Sequence, residues 1–227
     1  MGENDLSGWL IDETAVPSKG EASAIASRAL GFDEGPAEAQ LAVALHDVTI
    51  LKTGRLFGEA EIRLDALVVT AAPGTAAYAP GTFRFPRIGS GDKLQIGEGG
   101  LGIFLGDPRG LLDISIVVSR AQEDDKSLEE LLAEAGDVAS LLGDVTKLAA
   151  PAPQVAAITA AGGAAVKLST VALRLLAKYT GRSIGVYRTT WWESGEFGIG
   201  KHPNDGTRYR NNDFEFWYRI FRNAPHR

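Results

Sequence analysis

His46, His202 and His226 are the only imidazoles of this 227-residue chain, and it contains no cysteine. Imidazole is the usual general base near neutral pH, and it must lie within hydrogen-bond reach of the proton that it removes. His46 stands beside Asp47, half of a catalytic dyad on paper. No serine in a nucleophile-elbow context accompanies the pair, so a structural histidine is the simpler reading. His226 lies next to the end of the sequence. No HExxH spacing is present, and two histidines more than 150 positions apart do not compose a zinc site. The missing cysteines remove disulfides, thiolate ligands and a thiol nucleophile together. The glycine-rich 97-GEGGLG-102 lacks the Lys-Ser/Thr of a phosphate loop and reads as a turn.

The other chemistry-bearing stretch is 189-TTWWESGEFGIGKHPNDG-206. Neighbouring side chains of a strand point to opposite faces, so Trp191 and Trp192 cannot enter one core together. One closes the end of the core; the other is left for a helical insertion, a loop or a partner. The simplest packing puts Trp191 on the insertion. The functional alternative is an aromatic rim of Trp191, Trp192, Phe197, His202 and Trp217 for a partner, a glycan or a lipid headgroup.

The elements that must position these residues are mostly strands. In 40-QLAVALHDVTIL-51, Leu41, Val43 and Leu45 alternate, the phase slips at His46-Asp47, and Val48 and Ile50 resume it, predicting a strand with a bulge. The segment 59-EAEIRLDALVV-69 sets Glu59, Glu61, Arg63 and Asp65 against Ile62 and Leu64, the pattern of a half-exposed antiparallel strand. Residues 72–100 are rich in Gly and Pro and predict two or three short strands. The runs 101-LGIFLGD-107 and 111-LLDISIVVSRA-121 flank 106-GDPRG-110 and predict a hairpin, with Leu112, Ile114, Ile116 and Val118 buried.

Then the period changes. Ser127 and Glu130 form a capping box, and apolar residues from Leu128 to Val145 recur at helical spacing until Pro151 and Pro153. A second helix runs from about Gln154 to Tyr179, with Ile158, Ala161, Ala165, Leu168, Ala172, Leu175 and Tyr179 on one stripe. The two make an αα-hairpin over residues 127–180. Strand texture returns in 183-SIGVYRTTWW-192 and in 213-DFEFWYRIF-221, where Phe214, Phe216, Tyr218 and Ile220 share a face. Short strands with Gly/Pro turns and no βαβ alternation predict a mainly β protein, an antiparallel sandwich carrying an inserted αα-hairpin.

The order of elements resembles a C2-like β-sandwich domain. The likeness rests on 43-VALHDVTILKTGRLFGEAEIRLDAL-67, similar to an opening strand, first loop and second strand; on 112-LDISIVVSRAQEDDKS-127, similar to a strand entering an acidic loop; and on 213-DFEFWYRIF-221, similar to a closing strand. Such domains hold calcium with carboxylates from two loops at one tip. The resemblance therefore implies calcium as cofactor, with Asp107, Glu123, Asp124 and Asp125 as ligands. Glu59 and Glu61 stand where the family has paired aspartates, and the third-loop acids lack the Asp-x-Asp alternation. Both departures fit a domain that docks protein or lipid without metal.

Charge and composition bound the rest. Residues 1–39 hold eight acids against Lys19 and Arg28, so this segment accounts for the whole net charge of -6. It reads as an acidic arm, flexible in part, before a single domain over 40–221 and a short tail over 222–227. Such an arm is usually solvated, but it can also neutralise a basic surface, its own or a partner's. Residues 201–227 carry six cations against three acids, too small an excess for a nucleic-acid footprint. The acidic opening MGENDLSGWLIDE lacks the order of a secretory signal, which predicts a cytoplasmic protein. Residues 148–166 are uncharged and long enough for a membrane span, yet Pro and Gly interrupt them. The leading expectation is a non-enzymatic module that docks to a protein partner or to a second copy of itself, with calcium or a membrane surface as accessory. A hydrolase using His46 or His202 with nearby carboxylates, and a membrane-inserting protein using residues 148–166, are the alternatives.

Overall fold

A computed structural model describes residues 40–55, 58–72, 75–122, 125–135, 154–180 and 183–223. Among them are ten strands: β1 (Gln40–Ile50), β2 (Ala60–Ala72), β3 (Thr75–Ile88), β4 (Asp92–Lys93), β5 (Leu101–Gly106), β6 (Leu111–Arg120), β7 (Ser183–Trp192), β8 (Gly200–His202), β9 (Tyr209–Arg210) and β10 (Phe214–Asn223). Two helices, α1 (Leu128–Glu134) and α2 (Gln154–Tyr179), lie between β6 and β7. The protein is mainly β, with two antiparallel sheets packed face to face.

The first sheet runs β4-β1-β10-β8, with β5 also on β1 and β9 also on β10. The second runs β3-β2-β6-β7. Alternation builds the core between them. Val43, Leu45, Phe214, Phe216, Tyr218 and Ile220 point in from the first sheet, and Ile62, Leu64, Val68, Leu112, Ile114, Ile116 and Val118 meet them from the second. Asp47 takes a left-handed backbone, φ 55°, and the β1–β10 register shifts between His46 and Thr49. This bulge restores the phase, so that Val48 and Ile50 are fully buried.

The second sheet is covered on both faces. On its outer side Leu67, Val69, Ala71, Leu111 and Val117 pack against Leu128, Leu131 and Leu132 of α1 and Ala165, Leu168, Ala172 and Leu176 of α2. The capping box starts α1: Ser127 Oγ accepts from the Glu130 N–H at 3.2 Å, and the Ser127 N–H donates to Glu130 Oε2 at 2.7 Å. The apolar stripe of α2 ends on Leu176, while Tyr179 is exposed, so the stripe expected through Leu175 and Tyr179 turns by one residue in its last turns. The side chains of Ile158 and Ala161, residues 136–153 and the termini 1–39 and 224–227 lie outside the described residues, and with them part of the expected hairpin and of the 148–166 stretch. The closing strand runs two residues past the expected boundary, to Asn223.

Three further expectations change. The hairpin over 101–121 does not form: β5 pairs β1 in the first sheet, and β6 pairs β2 and β7 in the second. Both strands turn apolar residues to one core from opposite sides, so their patterns are right while the pairing is not. Residues 75–88 make one 14-residue strand instead of short pieces. Pro80 and Pro86 are accommodated because β3 is an edge strand that bonds only β2. Finally, Arg63 and Asp65 are 0% and 1% exposed, because the helical layer covers the face they were expected to show to solvent.

That covered face holds its charges in pairs. Arg63 Nε and Nη2 donate to Asp65 at 2.6 and 2.8 Å, and Thr82 Oγ1 donates to Asp65 while accepting from the Leu128 N–H at 2.8 Å. Asp113 accepts from Arg188, Thr190 and, at 2.8 Å, from Ser169 Oγ of α2. Burial pushes the Asp65 carboxyl up, against the pull of Arg63. Two ion-paired clusters thus lie under the helices, Arg63 with Asp65 and Arg188 with Asp113.

Candidate docking surface

The described helices pack on β2, β3 and β6. Among the described residues no helical layer covers the outward face of the first sheet, and its strands set their own side chains in rows, with Ala42 and Ala44 9% and 3% exposed. The row Gly102–Ala44–Arg219–Lys201 crosses β5, β1, β10 and β8, His46 pairs with Trp217 beside it, and Ala42 pairs with Phe221 on the other side.

Trp217 is the centre. Its ring stacks on His46 with centroids 4.0 Å apart and planes 6° from parallel. Lys201 Nζ lies 4.5 Å from the ring centroid, a cation–π contact. The indole N–H donates to Asp47 Oδ2 at 3.2 Å. Gly100, at φ 75°, packs against the His46 ring where any Cβ would collide with it and with the Leu45 carbonyl. An imidazole wedged in this way has a fixed plane, and so has the tryptophan on it.

Asp47 ties the face together. It accepts from Lys93 Nζ at 2.8 Å and from Arg208 Nη2 at 3.1 Å, as well as from Trp217. The Lys93 hydrogen bond is the largest of the causes that hold its carboxyl below the usual range. Arg208 and Arg210 both reach Glu215, at 3.3 and 3.0 Å. Lys93, Arg208, Arg210, Lys201 and Arg219 thus face two carboxylates, a local surplus of three positive charges. Lys201 and Arg219 have no carboxylate partner among the described residues; they lie over Trp217 and Phe221 instead.

The expected rim residues divide among three places. Trp191 turns into the core end, where its Nε1–H donates to Tyr218 Oη at 3.1 Å and its ring lies 4.3 Å from that of His202. His202 also bonds the Gly198 carbonyl and stacks on Tyr218. Phe197 is 9% exposed and belongs to the same core. Trp192 points to the opposite face, toward Gly162 of α2, and is 39% exposed. So Trp192, rather than Trp191, meets the helix. A bulge in β7 between its Gly185 and Ser183 pairings puts Ile184 in the inter-sheet core, while Val186 packs on the helical side. Trp217 stands apart from all four, on the bare face.

The expected calcium ligands do not converge. Asp107 precedes β6 and Asp125 follows it, at opposite ends of a ten-residue strand about 30 Å long. Asp107 pairs with Arg109 at 3.5 Å, and the Asp125 carboxylate turns to the buried Arg63 at 3.6 Å. Glu123 and Asp124 lie outside the described residues, among which no cluster of His, Asp or Glu is arranged to hold a metal ion. An open cleft of about 390 Å³ beside Asp107 mixes Arg109 and Arg222 with Glu193 and Glu196. Among the described residues neither His46 nor His202 hydrogen-bonds a carboxylate, and no described helix is long and apolar enough to cross a membrane.

Sequence reasoning found Trp217 and the bulge at His46-Asp47 but missed Lys201, Arg219, Lys93 and Arg208 as their neighbours. The signal was present in 213-DFEFWYRIF-221, whose outward set is Glu215, Trp217, Arg219 and Phe221. Fold and face together define an antiparallel two-sheet sandwich whose described helices lie on the outer side of the second sheet. No family model matches the chain, and neither the curated proteins nor the solved structures contain a significant match to it.

Proposed function

We propose that the protein is a non-enzymatic docking module, a C2-like sandwich with a helical insertion that binds a protein partner through the bare face of its first sheet. The observation that carries this reading is the clamping of Trp217 by His46, Lys201 and Asp47. An aromatic ring fixed before binding contributes contact area at little entropic cost, and Trp and Arg are among the residues that dominate the binding energy of protein interfaces. The second sheet, by contrast, covers its outer face with its own helices. A hydrolase would bring imidazole and carboxylate into one hydrogen-bonded pair, and both histidines instead engage aromatic rings.

The test is quantitative capture with the full chain against Trp217→Ala and Lys201→Glu variants and a Lys126→Glu control on the far side. Proteins retained by the parent and the control, and lost by both face variants, identify the partner. Retention that is indifferent to Trp217 and Lys201 overturns the reading.

A further inference from the structure

We infer that the bare face is also a receptor for the chain's own acidic segment, residues 1–39, which competes there with any external partner. The inference takes its surface from the docking reading and rests on charge and position.

Residues 1–39 carry eight carboxylates against two cations, while residues 40–227 are formally neutral, so the segment's negative charge is uncompensated within itself and the face offers it a local patch of positive charge. The surplus is concentrated on Lys201 and Arg219, the two cations of the face that no described carboxylate neutralises. Position agrees. The segment leads into β1 at Gln40, which shares its side of the strand with Ala42, Ala44 and His46 and pairs with Asn223 beside Phe221 and Arg222. Glu38 and Glu34 therefore stand a few residues from the rim of the face. From Gln40 to His46 is about 20 Å of strand, a distance that fewer than ten extended residues span. A tethered ligand meets its site at an effective concentration in the millimolar range, so weak ion pairs suffice to hold it. Asp47 and Glu215 also stand within the face, which disfavours a polyphosphate backbone relative to separately placed carboxylates.

Zero-length carbodiimide coupling of the full chain at low ionic strength tests this, because it joins only amines and carboxylates in contact. The expected product is a monomer in which Lys201 Nζ is linked to an acid among Asp33, Glu34 and Glu38, while Lys126 on the far side forms no link to the segment. The link should vanish in 1 M salt, where the Debye length falls to about 3 Å, and in the full chain carrying Asp33→Asn, Glu34→Gln and Glu38→Gln. As a second measurement, the absence of cysteine allows a single spin label at Ser23→Cys, expected to broaden the Trp217 indole N–H signal and to spare that of Trp192. Links that join Lys201 only to another molecule would make a second copy the occupant and overturn the inference, as would no link together with an unbroadened Trp217. Both experiments use the chain alone. Their failure leaves the docking reading standing on the capture experiment, and failure of the capture experiment leaves this contact intact.

Discussion

Gly198 holds φ 65° directly beneath the Trp191 ring, where a Cβ would overlap the indole. Left-handed backbone costs an L-residue about 1–2 kcal/mol, and displacing the ring adds to that. Gly198→Ala should therefore lower the urea midpoint by more than the backbone term alone, measured by tryptophan fluorescence. The histidines give a second residue-scale prediction. Burial pushes the imidazoles of His46 and His202 below their ordinary value of 6.5. The unfolded chain then takes up protons first as pH falls. Their contribution to stability is complete above about pH 6.5 and is lost as pH falls through that value toward the folded pKa. Denaturation midpoints should decline across that window, and His46→Gln with His202→Gln should flatten the decline; an unchanged slope would place the titration elsewhere. Residue identity was legible where alternation alone decides it, as in Phe214, Phe216, Tyr218 and Ile220. It was not legible for Arg63 and Asp65, because the same alternation describes a solvated face and a covered one.

Among elements, the helical layer does most to change what the strands mean. It buries the Arg63–Asp65 pair at 0% side-chain exposure for both partners. Removing one charge of a buried pair strands the other, at about 3–5 kcal/mol. Asp65→Ala should lose that much in chemical denaturation, and Arg63→Met with Asp65→Leu and Asp125→Asn, which also removes the second carboxylate facing Arg63, should recover most of it. A triple variant no more stable than the single one would show that the cluster stabilises beyond its burial cost. Strand positions and the α1 cap could be read from periodicity and from Ser127 with Glu130. Partnership could not. Leu101, Ile103 and Phe104 in β5 have the inward pattern of a hairpin arm, yet their hydrogen bonds go to β1. An edge strand such as β3 tolerates Pro80 and Pro86, which made it look like several short pieces. Three-dimensional neighbourhood decides both cases, and a linear pattern does not encode it.

At the scale of the molecule, the layers are first sheet, second sheet and helices, and β2 and β6 belong to both cores. Shared strands couple the layers, so the sandwich and α2 should unfold together. Amide exchange should be slowest in residues 62–69 and 111–119 and faster in 200–210, where short strands sit at a sheet edge. Exchange in 165–176 that is fast while the strands stay protected would show the helices leaving independently. The candidate site was half legible at this scale. Its aromatic centre and the β1 bulge were visible, but its cations come from β4, β8, β9, β10 and the loop before β9, brought together only by the sheet.

The pairing of β1 with β10 joins Gln40 to Asn223 and Ile50 to Phe214. Ribosomes add roughly 5–20 residues per second, so β1 waits on the order of 10–35 s for the strand that completes its ladder. During that interval β5 and β4 occupy only one edge of β1, and the other presents unpaired N–H and C=O groups. The nascent chain is thus exposed to strand exchange with its polysome neighbours, and a host lacking holdases should recover it in aggregates more readily than its folded stability warrants.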